Sequence, residues 1–371
     1  MKPKHRILIA ESGSGYGGTA KYLAGLLPLL DRERFTIEIV AYGKGPFVQR
    51  VEKEGWNVRF QAGWRFPFLN RTPEIAAWLR KEAIELVHLN NEIRSHVPLI
   101  LAARWAGAKV LCHLHGWREL TRIERWASRF VDQFVAVTES GANFYEKQLN
   151  REVKGIPNGI AANGKGSLER TDRMSVRESL GLRKEDFLAV LIGRLVPLKG
   201  HSVFFRALAR ARKVQSGLRG LVVGNDPSDG GYRRRLEEEL SSLGLEKTVR
   251  FVPWQESLDL VYEASDVVVQ PSVQPESFGY VALEGMLAGK PVVAARSGGL
   301  ADLVLDGQTG ILVAPGSANE LASAVTRIAE DPAYAAALGQ RGRERALSVF
   351  NMERNAEQIQ EIYGQLLHFL H

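Results

Sequence analysis

Four side chains in the second half of the chain have the types and spacing to handle a charged, hydroxyl-rich ligand. Glu276 and Glu284 stand eight positions apart in QPSVQPESFGYVALEGM, and Arg194 and Lys199 flank the turn in GRLVPLKG. Eight helical residues rise at most ~12 Å, comparable to the span from a hexose across a diphosphate to a ribose. Glu284 could hold ribose hydroxyls and Glu276 sugar hydroxyls. The backbone N–H groups of Phe278, Gly279 and Tyr280, at a helix start, would lie between them. An arginine fork suits phosphate oxygens, and lysine adds a mobile point charge. Two cations beside a helix N-terminus oppose its dipole by a few tenths to ~1 kcal/mol, and a bound diphosphate reverses that sign. Paired carboxylates also serve glycoside hydrolysis, but that chemistry leaves Arg194 and Lys199 unexplained.

Two more candidates lie in the first half. The loop ESGSGYGGTA follows the apolar run RILIA and opens a helical pattern. Its Gly13-x-Gly15-x-x-Gly18 spacing matches a dinucleotide fingerprint, which makes an NAD(P) oxidoreductase the rival reading. That fingerprint also needs an acid at the end of the second strand. Here Glu38 lies mid-strand in FTIEIVAY, and the strand ends Ala41-Tyr42. Any glycine-rich turn before a helix can hold phosphate, and a purely structural tight turn is the third reading. His115-Gly116 ends a strand, where an imidazole can reach a ligand or rest as a packed histidine.

These residues need elements to present them. Apolar β-rich runs alternate with helical periods almost throughout, the pattern of doubly wound parallel sheets. Strands are expected at 6–10, 35–42, 56–60, 86–89, 109–115 and 134–138, with helices between them and one near 120–130. Residues 157–174 break the pattern with Pro, Asn, Gly and charge, and read as a linker. The alternation restarts with strands at 187–193, 220–224, 249–252, 266–270, 291–295 and 310–313. Helical stretches at 333–348 and 352–370 follow without strands. The expected architecture is α/β, with two Rossmann-like doubly wound domains at 1–165 and 175–350 and a C-terminal helix at 351–371. Ligands in such sheets bind outside the carboxyl ends of strands, where all the candidates fall.

Composition excludes several classes. Hydrophobic residues make up 45% and charged residues 25% of 371, which is ordinary for a globular protein. No apolar run approaches the ~18–20 residues that span a bilayer, and no signal-peptide pattern opens the chain. A lone cysteine, Cys112, forms no intramolecular disulfide and fits a cytoplasmic setting. No Cys/His group has zinc spacing. The net charge of +7 is uneven: residues 1–170 hold 26 Lys+Arg against 17 Asp+Glu, and the rest hold 23 against 25. A basic first half suits an anionic partner. No zinc finger, RNP motif or basic-aromatic ladder points to nucleic acid.

The segments GRLVPLKG, PSVQPESFGYVALEGMLAGKPVVA, SGGLADLV, TGILV, YGGTAKYL, HLHG, FVAVTES and IPNGI together resemble the retaining glycosyltransferases of family 4. The resemblance covers essentially the whole chain and implies the GT-B fold, two domains facing across a cleft with a C-terminal helix crossing back to the first. It implies a nucleotide-diphosphate-sugar donor, a UDP- or GDP-sugar, held mainly by the second domain, with no metal or other cofactor. Arg194 and Lys199 would neutralise the leaving diphosphate, Glu284 would hold the ribose, and Glu276 the transferred sugar. Gly17 and Gly18 would lie near the diphosphate, His115 near the sugar, and Val252 near the base. No protein nucleophile is assigned. Two positions depart from the family pattern: Pro253-Trp254 follows VRFV where glycine is usual, and Asp302 stands where Glu is common. A non-catalytic glycan-binding relative is the other alternative, and the intact Glu276, Glu284, Arg194 and Lys199 argue against it.

The expected acceptor is a glycan or lipid-linked glycan used in surface polysaccharide or glycolipid synthesis. In WRELTRIERWASRF, residues 117–130, Arg118, Arg122, Arg125 and Arg129 fall on one helical face, with Leu120, Ile123, Ala127 and Phe130 on another. Such a helix suits an anionic membrane surface, and an ordinary packed surface helix is the alternative. Trp64, Phe66 and Phe68 form a loop cluster that either contacts acceptor or faces the core.

Overall fold

The computed structural model describes residues 4–13, 15, 17–160, 173–255 and 257–368. The chain divides into two compact units. Unit 1 comprises Met1–Ala161 and Phe350–His371, and unit 2 comprises Ala162–Val349.

Unit 1 is built on seven parallel strands: β1 (His5–Glu11), β2 (Phe35–Ala41), β3 (Val58–Phe60), β4 (Leu86–Asn90), β5 (Lys109–Leu114), β6 (Gln133–Ala136) and β7 (Val153–Gly155). Their order is β3-β2-β1-β4-β5-β6-β7. The middle strands are apolar on both faces because helices cover both: every residue of β4 is buried, and so are the last five of β1 and of β5. Strand order reverses between β1 and β4, so the loops after these strands diverge and leave a crevice at their carboxyl ends.

Unit 2 repeats the plan with six strands: β8 (Phe187–Ile192), β9 (Leu218–Val223), β10 (Val249–Val252), β11 (Val267–Gln270), β12 (Val292–Ala295) and β13 (Ile311–Val313). The order is β10-β9-β8-β11-β12-β13, again parallel, with the reversal between β8 and β11. Phe204, Phe205, Val222, Val269, Val293 and Val325 are among its buried core.

The C-terminal helix, Met352–Leu366, belongs to unit 1. Asn351 caps it by accepting the Arg354 N–H (2.9 Å). Met352, Ala356, Ile359 and Tyr363 form a buried stripe at i, i+4, i+7 and i+11. This stripe packs on the helix Gly18–Leu26, where a Cβ at Gly25 would lie 2.7 Å from Met352. The Tyr22 hydroxyl donates to Asn355 (3.0 Å), and Tyr363 pairs with His88 Nδ1 on β4 (2.6 Å).

Three local expectations need correction. Strand β7 was not foreseen, because VKG is short and half polar. Part of the expected linker at 157–174 is structured: Ile160 bridges to Asn351, and a helix begins at Arg173. Residues 161–172 lie outside the described residues. The helix expected over 117–130 is only Arg122–Ala127, followed by a 3-10 turn, Ser128–Phe130. The capping box of Thr121 with Glu124 starts it at 122 and leaves Arg118 outside.

Candidate functional site

In unit 2 the candidates gather at the reversal between β8 and β11. Strand β8 ends at Ile192, and Gly193 and Arg194 follow. Arg194 is exposed and makes no ion pair among the described residues. The chain then turns through the 3-10 segment Pro197–Lys199 into the helix His201–Ala211. Gly200 at this junction has φ +76°, and a Cβ there would lie 2.0 Å from the Pro271 carbonyl oxygen. Only glycine lets this turn press against the loop after β11. A backbone bond from Val273 N–H to the Leu198 carbonyl (2.9 Å) fixes the same contact.

That contact joins two candidates that lie 77 positions apart in sequence. Lys199 Nζ meets Glu276 Oε1 at 2.5 Å, with the side chains 18% and 13% exposed. The Ser272 hydroxyl donates to the same oxygen at 2.6 Å. Burial by itself would raise the Glu276 carboxyl. The Lys199 charge, with hydrogen bonds from Lys199, Ser272 and Gln270, overcomes it and holds the group below its ordinary value. Glu276 is therefore ionised at neutral pH. A general acid for hydrolysis needs a raised pKa, so the hydrolase reading fails at this residue. Lys199 is not a bare cation awaiting diphosphate either: its charge is already matched.

The loop carrying Glu276 is backed by Ser297-Gly298-Gly299. The Glu276 carbonyl accepts the Gly299 N–H at 2.8 Å, and a Cβ at Gly298 would lie 2.3 Å from that carbonyl oxygen. Gly279 caps the helix Tyr280–Leu287 with φ +106°, where a Cβ would meet Leu300 at 2.6 Å. The Phe278 and Tyr280 rings pack edge to face at 5.0 Å, with Phe278 buried. The first backbone N–H groups of this helix lack intrahelical partners and follow directly from the Glu276 loop.

Glu284 sits one turn further along, 4% exposed, and accepts the Tyr262 hydroxyl at 2.7 Å. Tyr262 comes from the helix Asp259–Ala264, which follows β10. Val252, half-buried, ends β10, and its carbonyl accepts the Gly224 N–H at 3.0 Å. Trp254 follows with its N–H on Asn225 Oδ1 (3.0 Å) and its indole 49% exposed.

In unit 1 the glycine-rich loop leaves β1 at the other reversal. Gly17 caps the helix Gly18–Leu26, and among the described residues nothing lies within 4 Å of a Cβ placed on Gly17 or Gly15. Glu38 is bound to Arg6 at 3.0 Å, so β2 offers no acid for a ribose and the dinucleotide reading loses its second requirement. His115 is 5% exposed at the end of β5, against Tyr22 (5.0 Å) and His113 (4.4 Å). Burial and the nearby His88 push its pKa down to about 3. It is a neutral imidazole, and its buried Nε2 makes no hydrogen bond among the described residues.

The basic face is not the one expected. Arg118 turns inward to Glu124, with Glu92 at 3.2 Å, leaving Arg122, Arg125 and Arg129 exposed beside Trp126. Trp64 is core, 3% exposed against Trp78, and Phe66 packs on the core, while Phe68 is 46% exposed. Among the described residues no helix is long and apolar enough to cross a membrane. Sequence reading missed Ser272, Gln270 and Tyr262, which fix the two carboxylates, and Glu11 and Asn90 beside the glycine-rich loop. Glu11 had a visible signal: a single acid closing an apolar strand just before glycines.

Two family descriptions match the chain, Glycosyltransferase Family 4 over residues 16–163 and Glycosyl transferases group 1 over residues 172–345. The D-inositol 3-phosphate glycosyltransferase of Rhodococcus opacus (strain B4) is 35% identical over 317 residues, covering 78% of this chain and 70% of that protein. The chain belongs to the family 4 glycosyltransferases. Among solved structures, Anabaena HepE in complex with UDP and glucose is 26% identical, with a TM-score of 0.85 over 97% of this chain and 100% of that one. A glycosyltransferase from Rickettsia africae, at 21% identity and a TM-score of 0.87 over 98% and 99%, shares the fold. The two parallel-sheet domains are those of GT-B glycosyltransferases, and the protein is a glycosyltransferase.

Proposed function

We propose that this glycosyltransferase moves a sugar from a UDP-sugar to an anionic acceptor, with retention of configuration and without a metal. The observation that carries the reading is the Lys199–Glu276 pair beside the unpaired Arg194 at the β8/β11 reversal. A diphosphate arriving there meets Arg194 directly and draws Lys199 from Glu276, which frees that carboxylate for sugar hydroxyls. The helix start at Phe278, Gly279 and Tyr280 adds N–H donors. Glu284, oriented by Tyr262, takes the ribose. Val252 and the exposed Trp254 indole take the base, which stacking on an aromatic face would hold. Cationic groups aimed at the leaving diphosphate do electrostatically what a metal does elsewhere.

Uridine is favoured because HepE, at 26% and 25% identity, is seen in complex with UDP and with UDP-glucose. The freed Glu276 carboxylate is taken up by sugar hydroxyls, and no protein nucleophile is assigned. The acceptor hydroxyl attacks on the face the diphosphate leaves, and a departing phosphate oxygen takes its proton. Unit 1 is the acceptor side, and its Gly17, Gly18 and His115 are the residues the family resemblance assigns to the diphosphate and the transferred sugar. Its excess of basic residues favours an anionic acceptor, and the named relatives act on a phosphorylated polyol.

The test is turnover of UDP- and GDP-hexoses with EDTA present, against inositol phosphate and against lipid-linked glycan in anionic vesicles. Product stereochemistry is read by NMR. UDP release that rises with an anionic acceptor and survives EDTA, with the donor's anomeric configuration kept, is expected. Inversion, or dependence on added metal, would end the reading.

A further inference from the structure

Glu11 has no part in the reading above. It ends β1, is fully buried, and stands at the foot of the glycine-rich loop. Its Oε1 accepts the Gly13 N–H at 2.7 Å, and its Oε2 accepts Asn90 Nδ2 from the end of β4 at 2.5 Å. The same Nδ2 donates to the Thr19 carbonyl at 3.3 Å, in the first turn of the helix Gly18–Leu26. One carboxylate and one carboxamide thus tie down Gly13, where the chain leaves the strand, and Thr19, where the helix begins. The fit is close: a Cβ on Gly13 would lie 3.1 Å from Glu11 Oε1.

We propose that Glu11 and Asn90 form a clasp that positions Gly13 and the start of the helix Gly18–Leu26 for sugar transfer, and that a proton on Glu11 releases it. The proposal rests on the glycosyl-transfer reading. Glu11 is a positioning residue, since it is enclosed and acts through the backbone it holds.

The logic is one of donors and acceptors. An ionised carboxylate is acceptor only and matches the two donors it faces. A protonated one carries an O–H, which would confront the Asn90 amide hydrogens. Asn90 can meet it only by turning its amide, and its buried Oδ1 has no partner among the described residues. Turning takes Nδ2 away from both Glu11 and Thr19, so one proton loosens both ties.

The surroundings make that proton available. Facing Glu11 are Tyr42 after β2, whose hydroxyl lies 2.9 Å from His96 Nδ1, and Asn90, whose register partner on β5 is His113. Burial and the Glu11 charge push Tyr42 up, and burial pushes His96 down to about 4 and His113 well down, so all three are neutral. No Lys or Arg is among the groups that perturb Glu11. Burial therefore outweighs the hydrogen bonds from Gly13, Asn90 and Ser12 and raises the carboxyl to about 7.

Glycine-selective 15N labelling of the full chain reads the clasp directly. The Gly13 amide, assigned by its absence in Gly13→Ala, is expected to titrate with a midpoint near pH 7 and to stay fixed in Glu11→Gln. With UDP-glucose as the probe donor, wild-type kcat/KM is expected to fall about tenfold from pH 8 to pH 6. It should be low and flat over that range in Glu11→Gln, and low in Asn90→Ala. A Gly13 resonance that does not move between pH 5.5 and 8.5 overturns the clasp, whatever the activity. A moving resonance with the same pH–rate profile in wild type and Glu11→Gln overturns its role in transfer. If Gly13 titrates and no nucleotide-sugar is turned over, the clasp stands and the transfer reading fails.

Discussion

Two cations five positions apart in one turn behave differently, and substitutions should separate them. Arg194 is exposed and has no ion pair among the described residues, so Arg194→Ala should leave stability within ~0.5 kcal/mol. Losing a charge aimed at the leaving diphosphate should cost about 100-fold in kcat. Glu276→Gln has the opposite character. It strands Lys199 in a site where both partners are largely enclosed, and breaking such a pair costs about 3 kcal/mol. Urea denaturation checks both. The pH dependence has a definite sign. The folded Glu276 carboxyl lies below its ordinary value, so its contribution is complete above the unfolded pKa and is lost as pH falls through the folded one. The acid limb of wild-type stability should therefore contain a component that Glu276→Gln lacks. An Arg194→Ala protein that keeps its turnover, or a Glu276→Gln protein as stable as wild type, removes the assigned roles.

The sites depend on how tightly certain turns are pressed together, and one glycine can test this. Gly200→Ala forces a left-handed φ on alanine, costing ~1–2 kcal/mol, and drives a Cβ into the Pro271 carbonyl 2.0 Å away. Gly307 shares the left-handed geometry at φ +69°, with nothing within 4 Å of a Cβ. Gly200→Ala should therefore destabilise by clearly more than Gly307→Ala and should also weaken UDP binding, because the turn carries Lys199. Equal losses in the two variants would mean that the turn does not press on the β11 loop. These elements also show what a sequence discloses. The alternation of apolar runs with helical periods located β1 and β8 and the loops after them, because a strand covered on both faces must be apolar throughout. The Lys199–Glu276 contact stayed hidden because it depends on the β8–β11 reversal and the Val273–Leu198 bond, neither of which leaves a local pattern. The four-arginine face failed because spacing cannot tell where Thr121 caps the helix, or that Glu124 draws Arg118 inward.

On the scale of the whole molecule, the two units bury histidines very unequally. Unit 1 encloses His88, His96, His113 and His115, and unit 2 encloses His201. Burial holds His88 and His115 near 3, His96 and His201 near 4, and His113 well below its ordinary value. Each unfolded histidine takes up a proton below about pH 6.5 that its folded form refuses, so stability falls as pH falls through this window. Glu11 works the other way. Its folded carboxyl at about 7 holds a proton that the unfolded one, at 4.5, has released, so it favours folding on acidification. Unit 1 thus carries a net of about three such protons and unit 2 about one. Unit 1 therefore loses stability about three times as steeply as unit 2 on acidification through this window. Against a marginal domain stability of ~5–15 kcal/mol, that difference decides which unfolds first. The C-terminal helix should unfold with unit 1, since Tyr363 is bonded to His88. Six tryptophans, Trp56, Trp64, Trp78, Trp105, Trp117 and Trp126, lie in unit 1, and Trp254 lies in unit 2. In Trp254→Phe, intrinsic fluorescence reports unit 1, while far-ultraviolet circular dichroism reports both units. Lowering the pH from 7 toward 4 should shift the fluorescence first, with much of the helical signal surviving to lower pH. Coincident transitions, or a fluorescence change that comes second, would mean that the four histidines of unit 1 are not enclosed as neutral groups.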